Sequence, residues 1–177
     1  MIDETGAPQG PRTRVRGASR IALPLCLLAM ALSCSGPDST LEGSLTELLD
    51  VAYTGIEVSV TDWAVILSYV RPHLTARDTV LRLVVYVAPK DVVPGQLIDL
   101  SPNEDGSARA SVTRAVGGDP IRTLAAIKMG QLTLSAIPEI DKPVSGEWRV
   151  TLDEGGDAGK GRTAYGIFRT SAVKPGN

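Results

Sequence analysis

Residues 130–170 read GQLTLSAIPEIDKPVSGEWRVTLDEGGDAGKGRTAYGIFRT, and this stretch decides the fold. Three five-residue segments within it share one template, a glycine followed two residues later by a large apolar side chain: GQLTL at 130–134, GEWRV at 146–150 and GIFRT at 166–170. The two separators are rich in Pro, Gly and Asp, which are turn-forming residues. We therefore predict a three-stranded antiparallel meander.

The glycine template also predicts how these strands pack. Side chains two residues apart lie on the same face of a strand, so each glycine shares a face with its apolar partner. A glycine leaves a hole that an aromatic ring from the neighbouring strand can cover. We therefore expect Trp148 and Phe168 to lie across glycines of the meander. The alternative is that the glycines open a slot for a ligand.

The chain before the meander shows further strand patterns. Residues 56–60 alternate apolar and polar, as in a half-buried strand, and residues 64–70 are apolar on both faces, as in a strand inside a sheet. Pro72 is expected to end that second strand. Other strand patterns, separated by turn signals, occur at 79–88, 96–100 and 108–115. Eight or nine short strands predict an all-β domain over residues 45–177, an antiparallel β-sandwich or barrel.

An apolar run near the N-terminus, IALPLCLLAMALSC at 21–34, predicts export. Four arginines between residues 12 and 20 precede it without an acidic residue among them, which is the layout of an export signal. The run is too short to span a bilayer, which needs about 20 apolar residues. Because the first ten residues are acidic and rich in Gly and Pro, we expect translation to begin at Val15.

These patterns predict three parts of the chain. Residues 1–33 form a signal peptide, and residues 34–44, small and polar with Pro and Gly, form a flexible tether. Fully extended, such a tether reaches on the order of 30 Å at about 3.3 Å per residue. The β domain occupies residues 45–177.

The end of the apolar run, Ala31-Leu32-Ser33-Cys34, resembles the lipobox of bacterial lipoproteins. That family usually has Leu where this chain has Ala31, and a small residue where it has Leu32. The resemblance implies that the Cys34 thiol is acylated, that the chain is cut before it, and that the lipid holds the protein to a membrane. The alternative is an ordinary secreted protein cut after Ala31 or Ser33, with Cys34 left as an incidental thiol.

The lipobox and two strand segments, Val144–Trp148 and Tyr165–Phe168, together make the chain resemble the uncharacterised small lipoproteins of Gram-negative bacteria. The resemblance implies a lipid-anchored protein of the cell envelope, on the periplasmic face of the outer membrane or at the cell surface. Ser35 follows the cysteine, whereas an Asp there retains lipoproteins at the inner membrane in enterobacteria. No activity transfers from this family.

Composition excludes several classes of function. The formal net charge is −2 without charge runs, which argues against nucleic acid or an anionic membrane surface as a partner. Both cysteines, Cys26 and Cys34, lie in or next to the signal peptide. The exported domain therefore has no internal disulfide, no thiolate metal site and no cysteine nucleophile.

Residues that could carry chemistry are few. His73 is the sole histidine and is expected in a solvated loop, and neither G-x-S-x-G nor H-E-x-x-H occurs. Two acidic loops offer oxygen ligands of the kind calcium takes, although neither has the spacing of a calcium-binding loop; they contain Asp99, Asn103, Glu104 and Asp105, and Asp153, Glu154 and Asp157. We predict no catalytic residue, no cofactor and no metal.

Trp63, Tyr165 and Ile167 are the candidates for an exposed binding patch. Exposed aromatic rings stack on sugars or on protein partners, whereas the alternative is burial under a loop or a second sheet. The main hypothesis is a lipid-anchored envelope protein that binds an envelope protein or a polysaccharide without chemistry. A calcium-dependent carbohydrate-binding module and an envelope hydrolase whose carboxylates meet in three dimensions are the alternatives.

Overall fold

A computed structural model of the chain describes residues 39–74, 76–154 and 161–174. All of them belong to one compact unit, residues 35–177. The predicted signal peptide, the lipidation candidate Cys34 and the calcium candidate Asp157 lie outside the described residues. Within the described ranges no helix is long and apolar enough to cross a membrane.

The described chain is all-β, as predicted, with one short 3-10 turn at Pro89–Asp91. It contains ten strands, against eight or nine predicted: β1 (Thr40–Glu42), β2 (Gly55–Val60), β3 (Val65–His73), β4 (Ala76–Val85), β5 (Leu97–Asp99), β6 (Ala110–Ala115), β7 (Arg122–Thr123), β8 (Ile127–Leu134), β9 (Pro143–Leu152) and β10 (Thr163–Val173). The additional strands are short ones that local patterning does not reveal.

The strands follow the order β5-β8-β9-β10-β2-β3-β4-β6-β7, with β1 paired to β10. Among the ten strands all pairings are antiparallel except that of β10 with β2, where Ala172 lies beside Val58 and Val173 beside Ser59. The first nine residues of β10 pair with β9 instead. β10 therefore passes from one half of the sheet to the other, and the sheet stays open between its ends, β5 and β7.

The meander prediction is confirmed by the pairing of β8, β9 and β10. Trp148 lies directly opposite Gly166, and Phe168 lies directly opposite Gly146. A Cβ atom on Gly146 would lie 3.0 Å from Phe168 Cζ, and one on Gly166 would lie 2.8 Å from Trp148 Nε1. The rings therefore fill the holes above both glycines, and the alternative of an open ligand slot there is wrong.

A buried aromatic contact joins the two halves of the sheet. Trp148 Nε1 donates a hydrogen bond of 3.0 Å to Tyr69 Oη, although β3 and β9 are not neighbours in the sheet. Both side chains are almost completely buried, and Tyr53 packs edge-on against the Tyr69 ring with centroids 5.0 Å apart. The inner faces of the two halves therefore face each other, as in the predicted sandwich.

The last residues of the predicted tether belong to the sheet. Thr40–Glu42 form β1, whose register pairs Leu41 with Gly166, and Leu45 N–H donates to Thr163 O at 3.0 Å. Leu45 is 1% exposed. For residues 40–44 the prediction of a flexible tether is wrong, because even a segment with a single leucine between two polar residues can add a short strand to β10.

Pro72 does not end its strand, contrary to the prediction. β3 continues through Pro72 to His73, paired with Arg77 and Ala76 of β4. Its pairing with β2 stops earlier, at Gly55–Val70. Past that point one edge of β3 no longer faces β2, so a proline nitrogen on that edge removes no ladder hydrogen bond.

Candidate functional site

The three residues predicted to form one binding patch lie in two different settings. Trp63 lies in the turn between β2 and β3 and is 60% exposed. Tyr165 and Ile167 lie on β10, paired with Arg149 and Glu147 of β9. The structure therefore brings Tyr165 and Ile167 together and gives Trp63 a different neighbour.

That neighbour is Tyr86, and the two rings form a solvent-exposed stack that we call the aromatic pair. The ring centroids are 5.9 Å apart and the ring planes differ by 27°. Tyr86, directly after β4, is 44% exposed. Sequence patterns alone did not identify Tyr86; the β3–β4 register places it beside the Trp63 turn, since Val65 lies opposite Val85.

Hydrogen bonds fix both members of the aromatic pair. The Trp63 turn is closed by Thr61, whose N–H donates to Ala64 O at 2.9 Å and whose Oγ1 accepts from Ala64 N–H at 3.0 Å. Tyr86 Oη lies 3.0 Å from Ser111 Oγ on β6, within hydrogen-bond distance. A partner that stacks on the exposed Trp63 ring would therefore meet a preorganised surface.

Tyr165 and Ile167 line a shallow groove of about 260 Å³ on the solvent side of the meander. The register explains its composition, because two rows of side chains cross β8, β9 and β10 there: Gln131, Arg149 and Tyr165 in one row, and Thr133, Glu147 and Ile167 in the other. We call it the outer groove. It carries one acidic and one basic side chain beside one aromatic ring.

Tyr165 is held from two sides within the outer groove. Its Oη donates a 2.6 Å hydrogen bond to Glu42 Oε2 of β1, which raises the pKa of Tyr165. The Arg149 guanidinium lies 5.9 Å from the centre of the Tyr165 ring. The phenol therefore stays neutral at physiological pH, and its ring is already partly covered by a cation.

In the first acidic loop, Asp99, Asn103 and Asp105 already bond to other groups of the protein. Asp99 Oδ1 accepts from Ser101 N–H and Asp105 Oδ1 from Ser107 N–H, each at 2.9 Å. The backbone of Ser101 lowers the pKa of Asp99, and Ser107, through its side chain first and its backbone second, lowers the pKa of Asp105. Arg109 Nη1 lies 3.4 Å from Asp99 Oδ2. Arg109 Nε also donates to Asn103 Oδ1. In the part of the chain that the structure describes, no three His, Cys, Asp or Glu side chains group as metal ligands.

His73 was predicted to lie in a loop, but it is the last residue of β3. Its Nδ1 lies 3.9 Å from Asp78 Oδ2, and Asp78 is 3% exposed. Asp78 accepts hydrogen bonds from Gly117 N–H at 2.8 Å and from Arg71 Nε at 3.2 Å. Burial by itself raises the pKa of Asp78, but these two donors outweigh it and hold the pKa below its ordinary range.

Arg71 extends this network to a second acid and to the N-terminal segment. Its Nη1 donates to Asp50 Oδ2, and this bond is the main cause of a lowered pKa at Asp50. The Arg71 guanidinium therefore bridges Asp50 and Asp78, and it links β3 to β4 and to the segment before β2. Sequence patterns did not single out this network, because its members are far apart in the chain.

The described carboxyls with shifted pKa values are all shifted in the same direction. Asp50, Asp78, Asp99 and Asp105 have lowered pKa values because each accepts hydrogen bonds. A general acid needs the opposite, a carboxyl that stays protonated near neutral pH. These four side chains are therefore suited to structural ion pairs and turns, not to acid catalysis.

Comparison of the chain with protein-family models, with curated proteins and with solved structures found no match.

Proposed function

We propose that this is a lipid-anchored cell-envelope protein whose β domain binds an envelope polysaccharide or protein and performs no chemistry. The observation that carries the binding part is the aromatic pair, an exposed tryptophan stacked on an exposed tyrosine. The anchor rests on the resemblance of Ala31-Leu32-Ser33-Cys34 to a lipobox.

The geometry of the aromatic pair favours a flat, partly apolar partner such as a sugar ring. Aromatic side chains combine a large apolar face with little conformational entropy to lose on binding. Trp63 is held by a tight turn and backed by Tyr86, so its open face is presented without rearrangement. The carbohydrate need not be recognised through calcium, since the first acidic loop already uses Arg109 as its cation.

Cosedimentation with purified peptidoglycan and with lipopolysaccharide tests the binding proposal. We expect Trp63→Ala to reduce binding at least tenfold, because stacking on an exposed ring is lost. Its folding should change little, since surface substitutions stay within about 0.5 kcal/mol. Met129→Ala is the matched control, because Met129 is similarly exposed but lies on β8 and belongs to no proposed binding surface. Equal binding by wild type and Trp63→Ala would contradict the role of the aromatic pair.

Metabolic labelling with radioactive palmitate tests the anchor separately. We expect label on the wild-type protein and none on Cys34→Ala, which should also move from the membrane to the soluble fraction. Cys26→Ala is the control, because this second cysteine lies inside the apolar run and should leave labelling intact. Unchanged membrane partitioning of Cys34→Ala would show that the protein is exported without a lipid.

The hydrolase alternative lacks comparable support. It requires two carboxyls with different pKa values in one pocket. The acids whose pKa values are lowered accept hydrogen bonds from backbone amides or arginines instead. Incubation of the purified protein with peptidoglycan, followed by analysis of released fragments, would detect the activity, and wild-type release above that of a boiled sample would revive this alternative.

A further inference from the structure

Strand β6 places a charged side chain on its inward face. Ala110 and Val112 are buried in the core, and the two-residue period of a strand puts Arg114 on the same face, two residues further on. Arg114 is directly paired with Arg122 of β7, so two arginines lie side by side at this end of the sheet. Like charges placed opposite each other destabilise a strand pair, and the Asp119 carboxylate, 3.6 Å from Arg122 Nη2, compensates them in part.

The Arg114 guanidinium is incompletely satisfied. Its Nη1 is shielded from solvent and finds no hydrogen-bond partner among the described residues. Burial, together with the nearby charge of Arg71, lowers the pKa of Arg114, yet a guanidinium remains protonated in proteins. A buried donor without a partner is costly, so such an atom indicates a missing acceptor.

The neighbouring acids do not supply that acceptor. Asp50 and Asp78 are close enough to stabilise the charge of Arg114 electrostatically, but their hydrogen bonds are made with Arg71 and with backbone amides. Arg71, and not Arg114, is therefore the cation that bonds Asp50 and Asp78. Arg114 stays outside that hydrogen-bond network, and its Nη1 has no acceptor among the described residues.

A pocket of about 140 Å³ adjoins this side chain. Arg114 lies in its wall, and Arg122 and Asp119, whose side chains are 62% and 58% exposed, belong to its solvent-exposed part. Much of the remaining wall is apolar: Leu49, Val116, Pro120 and Leu124. The volume corresponds to about four to five liquid-water volumes, which is enough for a short organic molecule.

We infer that this pocket binds a small organic monocarboxylate with a short apolar chain, whose carboxylate accepts hydrogen bonds from Arg114 and Arg122. Arginine pairs well with the planar carboxylate because its donors form a matching fork. The apolar wall suits the carbon chain, and Asp119 disfavours a dianion such as phosphate. The inference does not depend on the proposed envelope function.

Isothermal titration of the full-length protein with millimolar butyrate, butyramide and inorganic phosphate tests the inference. We expect saturable binding of butyrate, with butyramide and phosphate at least tenfold weaker. Arg114→Gln should abolish butyrate binding and Arg122→Gln should weaken it several-fold. Arg169→Gln, which removes an exposed charge on β10 outside the pocket, should leave it unchanged.

Should Arg114→Gln fail to fold, Arg122→Gln decides, because its side chain is mostly exposed and its loss leaves the core intact. The inference is overturned if the wild-type protein does not bind butyrate, or if butyramide binds as well as butyrate. Tighter binding of phosphate, or unchanged affinity in Arg122→Gln, would overturn it as well.

Discussion

Replacing Gly166 by alanine should disrupt the contact that joins the two halves of the sheet. The added Cβ would lie 2.8 Å from Trp148 Nε1 and 2.9 Å from Thr40 O, and it would collide with Tyr69 Oη. The hydrogen bond between Tyr69 and Trp148 runs across this spot. Gly166 is therefore required for the close approach of two aromatic side chains, not for its backbone freedom.

The expected loss of stability combines two destabilising effects and one smaller opposing effect. Overpacking a well-filled core costs about 1–3 kcal/mol, and loss of the buried hydrogen bond adds about 1 kcal/mol. Restricting the unfolded chain returns about 0.4–1 kcal/mol. We expect Gly166→Ala to lower the free energy of unfolding by about 1–3.5 kcal/mol, and thus the urea midpoint by roughly 0.5–2 M for a domain of this size.

Urea unfolding monitored by the fluorescence of the buried Trp148 measures this loss. Gly55→Ala is the matched control, because its Cβ would meet only Val70 Cγ2 at an ordinary 3.5 Å; its midpoint should stay or rise slightly. Adding Tyr69→Phe to Gly166→Ala removes the colliding oxygen, so the double variant should lose less than the sum of the two single variants. A Gly166→Ala midpoint equal to that of Gly55→Ala would refute the reasoning.

Three further outcomes are expected. The pKa of Asp78 is lower in the folded protein than in the unfolded chain, so the ionised Asp78 carboxylate stabilises the fold above about pH 4, and this contribution is lost as the pH falls through the folded-state pKa. In urea unfolding across pH 2–7, the midpoint of Asp78→Asn should therefore fall less steeply at acidic pH than that of the wild type. A chain beginning at Ser39 should melt like the full chain, whereas one beginning at Leu45 lacks β1 and should melt several degrees lower. Millimolar calcium should not shift the melting temperature, because Arg109 already faces Asp99.

The fold class and the meander could be predicted because both depend on short-range periodicity. A glycine and an apolar residue two positions later share a face whatever the remaining chain does. The parallel contact of Ala172 and Val173 with β2 has no such signal, since it joins segments more than one hundred residues apart. Pro72 was misjudged for a related reason, because its tolerance depends on where β2 stops.

The candidate sites were predictable only in part. Trp63 could be identified as an exposed aromatic in a turn, but its stacking partner Tyr86 follows from the β3–β4 register. Arg114 does carry a local signal, because it lies two residues after Val112 on the strand face that buries Ala110 and Val112. A charged side chain on the buried face of a strand breaks the local pattern, and such breaks concentrate at functional sites.

The short connection between Cys34 and the sheet limits what the proposed anchor allows. β1 begins at Thr40, so five residues, 35–39, separate the two. At about 3.3 Å per residue they span at most on the order of 17 Å, roughly half the reach predicted for a tether extending to Ser44. A domain tied so closely meets membrane-proximal partners at a high effective concentration. A weakly binding aromatic surface is then sufficient for a partner fixed in the envelope, whereas a freely diffusing partner would gain nothing from the anchor.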